Sequence, residues 1–489
     1  TLLPQLHLLP TTMKPQLGRS MRDTTGNQRQ QIKRTNEFHD IRLRELKRER
    51  ECLRGAPTDQ VAPSYFVPSL KEICANVIAD HFEQLPNVDN LRELAEDLYH
   101  LIIDQLPTDL KLSVSVPRVK AQEYWKSCCE ARWSVGQLAT FTKSGRLEAP
   151  QRGGWKRVYL ERNLEEQLMS ISTPQLSDED ETKLVQMCAL CGADIYCLQL
   201  PHQQCHFDLY ENLFSKLPHL EDFLLTYSVL NAAVTFKLDM VGFRQADALC
   251  VQRVLKTCPA LKSLSLPGNR IDGDLSKAIL AGLVKNNTLT HLDLSHNLID
   301  DEGANALAVI LSKRDVSLKH VDVSDNKIRA EGAQTLGKAL GVNQSLEWLS
   351  LRLNRLGDLG GVSLFEGLKA NQSIVTLDVS SNQMGPEASR RIGEYLRAST
   401  VLNSLCLSGN DFKEEGGHAL AEGVASCASL RNIDVRLCGL SETEVHAIEK
   451  VAQKRIQTLR IAEVERQEIE MRDQISKMVT EKIRKTHGV

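Results

Sequence analysis

Six sulfur and imidazole side chains fall within 19 residues of this 489-residue chain: Cys188, Cys191, Cys197, His202, Cys205 and His206. Thiolates and imidazoles at such spacing are the ligands zinc prefers, so Cys188, Cys191, Cys197 and Cys205 form the metal candidate. Against that, Cys197 sits between the inward positions Ile195 and Leu198, where a free cysteine serves as a small core residue. The expectation is therefore no bound metal. Gly332-Ala333-Gln334-Thr335-Leu336-Gly337-Lys338-Ala339 imitates a phosphate-binding loop, but Ala339 stands where the magnesium-binding hydroxyl is needed and the stretch has helical spacing. No Gly-x-Ser-x-Gly elbow and no His-Glu-x-x-His pair is present. With no catalytic residue to propose and no cofactor motif, the chain is expected not to be an enzyme.

The chemistry-bearing residues that do recur belong to a repeat. Leu261-x-x-Leu264-x-Leu266-x-x-Asn269 returns as Leu289 to Asn297, Leu318 to Asn326, Leu346 to Asn354, Ile374 to Asn382, Leu402 to Asn410 and Leu430 to Cys438. The steps between the ninth positions are 28, 29, 28, 28, 28 and 28 residues, a leucine-rich-repeat pattern whose consensus accepts Asn or Cys at its last position. Weaker copies precede it at Ile195, Leu198, Leu200 and at Leu220, Phe223, Leu225, the latter ending at Ser228. The longer gap to Asn269 predicts an insertion near Val229 to Asp247. Alternation at positions four and six predicts a short strand with one buried face, and small and apolar residues at helical spacing, as in Gly303 to Leu311, predict a helix behind it. One such unit cannot bury its own apolar face, so the units must stack. The fold class read here is α/β: a solenoid of about 28-residue units with strands inside and helices outside, resembling ribonuclease inhibitor. The ninth-position Asn is expected to bond backbone groups of its own and the adjacent repeat.

The side chains between the buried leucines then line the concave face: His291, Asp293, His320, Asp322, Trp348, Arg352, Asp378, Asp434 and Arg436 are the candidate protein-binding residues. Aspartate recurs at position five in Asp293, Asp322, Asp378 and Asp434. One reading is a solvated strand face that tolerates any polar residue; the other is an acidic column for a basic protein, with Trp348 and Arg352 of the residue types that dominate interfaces.

Four segments are expected: a basic, partly helical anchoring arm at 1–60, a helical domain at 61–180, the solenoid at 181–438, and a C-terminal helical cap with a tail at 439–489. Residues 1–54 carry twelve Lys/Arg against six Asp/Glu, a local net of +6 that suits an acidic polymer or subunit. In the second segment Ser69 and Glu72 form a capping-box pattern opening an apolar face of Leu70, Ile73, Val77, Ile78 and Phe82, and Asn90 opens a second face of Leu91, Leu94, Leu98, Leu101 and Ile102. Leu106-Pro107 followed by helical spacing and late tryptophans is similar to an F-box; a helical cap over the first repeat is the plainer reading. Ser441-x-x-Glu444 opens a charged helix to about Lys485, with Val445, Ile448, Ala452, Ile456 and Leu459 as a seam against the last repeat and the remainder placed to pair with a partner helix.

Composition excludes rather than selects. The formal charge is -3, from 60 Lys+Arg against 63 Asp+Glu, which gives no global attraction to nucleic acid or membrane. Apolar runs fall short of the roughly 20 residues that span a bilayer, and no charged, apolar, small-residue leader opens the sequence at Thr1. The expectation is a soluble, intracellular protein with reduced thiols, in which Asn286, Asn343 and Asn371 of the Asn-x-Ser/Thr triplets serve as turn residues rather than glycan acceptors.

The basic arm, the block Tyr124-Trp125-Lys126-Ser127-Cys128-Cys129-Glu130-Ala131-Arg132-Trp133, the regular array and the charged tail together resemble the t-complex-associated testis-expressed family, the leucine-rich-repeat subunit-five family of the nexin-dynein regulatory complex. The resemblance implies a non-enzymatic scaffold in the axoneme of motile cilia and sperm flagella, a part of the cytoskeleton, where the complex links doublet microtubules and regulates dynein-driven sliding. It implies a hetero-oligomeric assembly with other regulatory-complex subunits, dynein arms, and tubulin through the basic arm. Two further readings stand beside it: an F-box-like substrate adaptor of a ubiquitin ligase, and a leucine-rich-repeat GTPase activator, though the acidic tail typical of the latter is absent.

Overall fold

The computed structural model describes residues 68–85, 96–143, 154–173, 175–228 and 241–487. The expected basic arm at 1–60, and most of the expected insertion, lie outside the described residues. The chain divides into two compact units, Thr1–Lys71 and Glu72–Val489, and the second holds the sheet and nearly all of the described residues.

The centre of that second unit is one all-parallel sheet of nine strands in sequential order. They are β1 Cys197–Gln203, β2 Asp222–Tyr227, β3 Ser263–Ser265, β4 His291–Asp293, β5 His320–Asp322, β6 Trp348–Ser350, β7 Thr376–Asp378, β8 Ser404–Cys406 and β9 Asn432–Asp434. Each strand from β2 to β8 is followed by a helix that returns the chain to the next strand, from Gln245–Thr257 to Lys413–Ser426. Position four of every repeat from Leu264 to Leu405 is buried, as is position six, and the helices present Leu307, Leu336, Leu364, Ile392 and Leu420 to the same core. The period-two strand and period-3.6 helix patterns thus converge on one interior.

The ninth-position asparagines form a hydrogen-bonded ladder through that interior. Asn297 donates from Nδ2 to the carbonyls of Leu266, Leu294 and Ser295 at 2.9, 2.9 and 3.0 Å, and its Oδ1 accepts the Asn269 and Ile271 amides at 2.9 and 3.0 Å. An amide is suited to this because it carries donors and an acceptor on one short side chain. The residue before each ladder position is held in the left-handed region, including His296, Asp325, Leu353, Ser381 and Leu437. A second ladder runs at the helix-to-strand turns. Asn343 bonds the Leu311 carbonyl of the preceding repeat at 2.8 Å and accepts from the Ser345 and Leu346 amides, and Asn286 and Asn371 do the same in their repeats.

The helix of the phosphate-loop imitation, Ala330–Val342, is an ordinary repeat helix. Its Gly337 is explained by packing: a Cβ on Gly367 of the next helix, Gly357–Leu368, would overlap the Gly337 carbonyl. The two backbones touch there, and a side chain on either would part them.

Ahead of the sheet lie the helices Leu70–Asp80, Glu96–Gln105, Leu112–Arg118, Gln122–Arg132, Val135–Lys143, Trp155–Ser170 and Asp178–Cys191. The Tyr124–Trp133 block is the core of this region. Trp125 is buried and donates its indole N–H to the Val119 carbonyl at 2.9 Å, and Trp133 donates to Glu166 Oε1 at 2.7 Å. In the first helix the expected face is met in part: Phe82 is buried and Ile78 partly so, while Leu70, Ile73 and Val77 are exposed and Ala75 and Ala79 take the other buried places. In the next helix Tyr99, Ile102 and Ile103 take the buried places, with Leu98 and Leu101 only partly covered; Leu91 and Leu94 lie outside the described residues.

The two ends of the sheet are treated differently. The outer edge of β1 meets helix Trp155–Ser170, whose fully buried Glu161 and Glu165 face it. Glu161 Oε1 accepts the Tyr196 and Cys197 amides at 3.0 and 2.7 Å, and Glu165 Oε1 accepts the Gln199 amide at 2.7 Å. Arg157 and Arg162 balance the two carboxylates at 2.8 and 2.7 Å. At the other end, Ser441 and Glu444 make the reciprocal capping box, with the Ser441 amide to Glu444 Oε2 at 3.1 Å and the Glu444 amide to Ser441 Oγ at 3.4 Å. The helix they open runs Glu442–His487. Ile448 is buried, Val451 packs on the core, and Arg455 donates to the carbonyls of Val424, Ala425 and Leu430. Farther along the same helix, Ile469 and Met471 are exposed.

Candidate functional site

The residues proposed for the concave face are brought together by strand register. His291 on β4 pairs with His320 on β5, which pairs with Trp348 on β6, while Asp293, Asp322 and Ser350 pair two residues on. The position-three rings form a continuous stack: His291 on His320 with centroids 4.3 Å apart and planes 12° apart, then His320 on Trp348 at 6.3 Å and 22°. Partial burial, and after it the neighbouring His320, push the His291 pKa below the ordinary imidazole value. Two imidazolium rings cannot share such a stack without strong repulsion, so the stack favours the neutral form of His291.

The recurring aspartates have a local task that the sequence reading did not assign. Asp293, Asp322 and Asp378 each accept from the amide two residues on, at 2.9, 2.8 and 2.9 Å, and Asp434 accepts the Arg436 amide at 3.1 Å. This is the Asx turn, which bends the chain out of the strand toward the left-handed residue and the ladder asparagine. The aspartates are therefore neither freely exchangeable polar residues nor wholly available charges. Asp293 also accepts from Ser265 Oγ at 2.6 Å. Arg436 is folded onto its own Asp434 in a two-bond fork at 2.9 and 2.7 Å, which holds the Asp434 carboxyl below the usual range. Arg352, by contrast, has no side-chain ion partner among the described residues and lies exposed on the repeat that contributes Trp348. Of the nine proposed residues, His291, His320 and Trp348 are brought into one stack, and Arg352 lies exposed four residues after Trp348.

The cysteines do not assemble. Burial pushes the thiols of Cys188 and Cys191 up to about 11 and about 12, and that of Cys205 up to about 11. Cys191 spends its proton on the Met187 carbonyl at 3.0 Å, and Cys197 lies in strand β1. Among the described residues no three Cys, His, Asp or Glu side chains converge on a point that could hold a metal. What the sequence reading missed nearby is a buried His206, Asp247 and Tyr227 cluster. His206 Nδ1 lies 2.9 Å from Asp247 Oδ2, and its ring stacks on Tyr227 with centroids 3.9 Å apart. Tyr227, not Ser228, occupies the ladder position of that repeat, for its amide donates to Asn269 Oδ1 at 2.8 Å as the Asn269 amide does to Asn297. A tyrosine there cannot make the asparagine's bonds, and the His206–Asp247 pair fills the space.

The strand, turn, ladder asparagine and returning helix, repeated at a fixed step, decide the architecture. The chain carries leucine-rich repeats. A leucine-rich-repeat family model matches residues 285–308, 315–337, 342–365 and 370–388. Among curated proteins, the chain is 29% identical over 268 residues to mouse dynein regulatory complex subunit 5, covering half of this chain and 51% of that protein. It is 28% identical over 266 residues to the human protein of the same name, and 30% identical over 215 residues to that of Chlamydomonas reinhardtii, covering 44% of this chain and half of that one. The chain thus spans about half the length of the curated relatives it matches. No described helix is long and apolar enough to cross a membrane.

Proposed function

We propose that this leucine-rich-repeat chain is a non-enzymatic scaffold subunit of an axonemal dynein regulatory complex, holding partner subunits in the nexin link between doublet microtubules and so regulating dynein-driven motility in cilia and flagella. The observation that carries the reading is the similarity to relatives named dynein regulatory complex subunit 5 from mouse, human and a green alga, over some half of the chain. The geometry supports it in kind: a ladder-braced sheet closed at its first edge is a stiff support, and the His291, His320, Trp348 and Arg352 group offers an aromatic and cationic anchor of the type that dominates interfaces. On this reading the partners are other subunits of the complex, with dynein arms and, through the basic arm, tubulin within reach.

Proximity labelling from the chain in ciliated cells, read by mass spectrometry, tests the assignment. Recovery of axonemal linker and dynein subunits is expected. Recovery of ubiquitin-ligase components without axonemal proteins would replace it with the adaptor reading, and stimulation of a GTPase in single turnover would replace it with the activator reading. In the same cells the double substitution Trp348→Ala and Arg352→Ala is expected to remove at least one labelled partner; an unchanged set would take the strand face out of the proposal.

A further inference from the structure

The sheet is closed at one edge and open at the other. In every repeat from β3 to β8 three backbone groups reach the following strand. The position-two carbonyl accepts from the next strand, as Lys262 does from Thr290 and His291 at 2.8 and 3.0 Å and Asn403 from Arg431 and Asn432 at 2.8 and 3.0 Å. The position-six amide donates forward, as Leu266 to Asp293 and Leu407 to Asp434. The position-eight amide does likewise, as Gly268 to Ser295 and Gly409 to Arg436. On β9 the corresponding groups are the Arg431 carbonyl and the Val435 and Leu437 amides, and none has a hydrogen-bond partner among the described residues. At edge β1 the Tyr196, Cys197 and Gln199 amides are already taken, because Glu161 and Glu165 accept them.

Two further observations mark β9 as unfinished. Leu437 is 88% exposed, with its apolar side chain uncovered, where the equivalent Leu353 of an internal repeat is 41% exposed. A cleft of about 540 Å³ opens beside position one of β9, lined by Ala428, Leu430, Arg431, Val451, Lys454 and Arg455. It lies where the position-one side chain of a following strand would enter. An exposed edge with its ladder groups unpaired is a template for strand addition.

We infer that β9 is a docking edge for an extended segment of a partner protein, which adds a tenth parallel strand in the array's own register. The chemistry of that segment follows from the array. Where charged residues meet at position two of adjacent strands they are of opposite sign: Glu221 with Lys262 at 3.1 Å, and Lys319 with Glu347 at 2.8 Å. Position two of β9 is the exposed Arg431, with Lys454 beside it in the cleft. The occupant therefore has an apolar residue for the cleft, an acidic residue next, and apolar residues at positions four and six, which cover Ile433 and Val435. A second copy of this chain joined head to tail is ruled out, because its β1 edge is filled by its own carboxylates.

The test uses the full chain and a synthetic nine-residue peptide with the sequence Leu346–Asn354, which carries the acidic second position. Residue-resolved hydrogen exchange is expected to show the Val435 and Leu437 amides slowed about tenfold or more at saturating peptide. Arg431→Glu is expected to weaken binding about fivefold, the size of a cross-strand charge reversal, and a peptide with Glu347→Lys at its second position is expected to recover it on that variant. No binding at about 1 mM peptide, a concentration at which even weak specific docking shows, would overturn the inference. So would bound peptide that protects amides of β4 to β6, or of the Glu442–His487 helix, in place of Val435 and Leu437. Protection of those two amides that rises with protein concentration and no peptide would assign the edge to an antiparallel second copy, and overturn it equally.

Discussion

Glu161→Ala tests whether the buried carboxylates close the sheet. Removing Glu161 Oε1 takes the acceptor from the Tyr196 amide at 3.0 Å, from the Cys197 amide at 2.7 Å, and from Arg157 Nε at 2.8 Å. A buried donor left without an acceptor costs about 1–3 kcal/mol, and a charged donor more. Arg157 keeps its seat over the Tyr196 ring, 4.9 Å from the centroid, so its share is limited. The two amides and the arginine together place the loss at about 4 kcal/mol, concentrated at the first strand because each repeat contacts only its neighbours. At about 1.4 kcal/mol per tenfold, amide exchange at Tyr196 and Cys197 should accelerate roughly a thousandfold, up to the limit set by local opening. Glu161→Gln, which keeps an oxygen for the amides but gives up the charge opposite Arg157, should fall between. Hydrogen exchange read at single amides is the assay, with the β7 amides as the internal control. The reasoning is refuted if Tyr196 and Cys197 exchange within threefold of the parent, or if Glu161→Ala accelerates β7 as much as β1.

Other consequences can be checked by mutation and titration of the same chain. Asn354→Ala should lower stability by about 3 kcal/mol in urea unfolding, because it strands the Val323 and Leu351 carbonyls and the Ile328 amide; Asn382→Ala should cost about 1 kcal/mol less, since Asn382 Oδ1 has no partner to lose. Leu437→Gly should raise stability by about 1 kcal/mol, seen as a higher melting temperature, since it relieves a left-handed leucine that buries almost nothing; a lower melting temperature would show that Leu437 has a covering partner. His291 should titrate below an ordinary histidine in an NMR pH series. Its neutral form is the one the fold prefers, so it adds stability above the unfolded-state value of about 6.5 that is lost as the pH falls below it. His320→Gln should move the His291 midpoint upward by removing the neighbouring imidazole; no movement would mean that burial alone sets it.

The array was legible because its signals are redundant. Leucines two and three apart, an asparagine after them and a constant step all state the same unit, and Ser441 with Glu444 states where the next helix starts. Position two, three and five side chains could be placed on the strand face from alternation alone. Their use could not: that aspartate at position five closes an Asx turn depends on the amide two residues later, and that His291, His320 and Trp348 stack depends on side-chain rotation across three strands. Glu161 and Glu165 were illegible for a different reason. In a helix they look like ordinary solvated charges, and only the neighbouring unpaired strand edge calls them inside. Tyr227 was displaced by one position because β2 shifts register against β1 between Leu200 and Gln203, and no pattern in the letters marks such a slip. Leu70, Ile73 and Val77 were misplaced because the buried positions beside Phe82 are held by Ala75 and Ala79, which weigh little in any hydrophobicity count.

The single 29-residue step, between Asn297 and Asn326, shows where such an array tolerates change in length. The spare residue falls between the end of helix Asp301–Leu311 and strand β5, around Ser312 to Val316, and the strands on either side keep their register. Repeat duplication or loss in a lineage would then be neutral to the sheet if its breakpoints fall in these joints, because each unit brings the asparagine its neighbour needs. A change of length inside a strand would instead misalign its ladder bonds with the repeats on either side. The length of the array is thus a quantity selection can adjust in whole units, and with it the distance between whatever is held at the two ends.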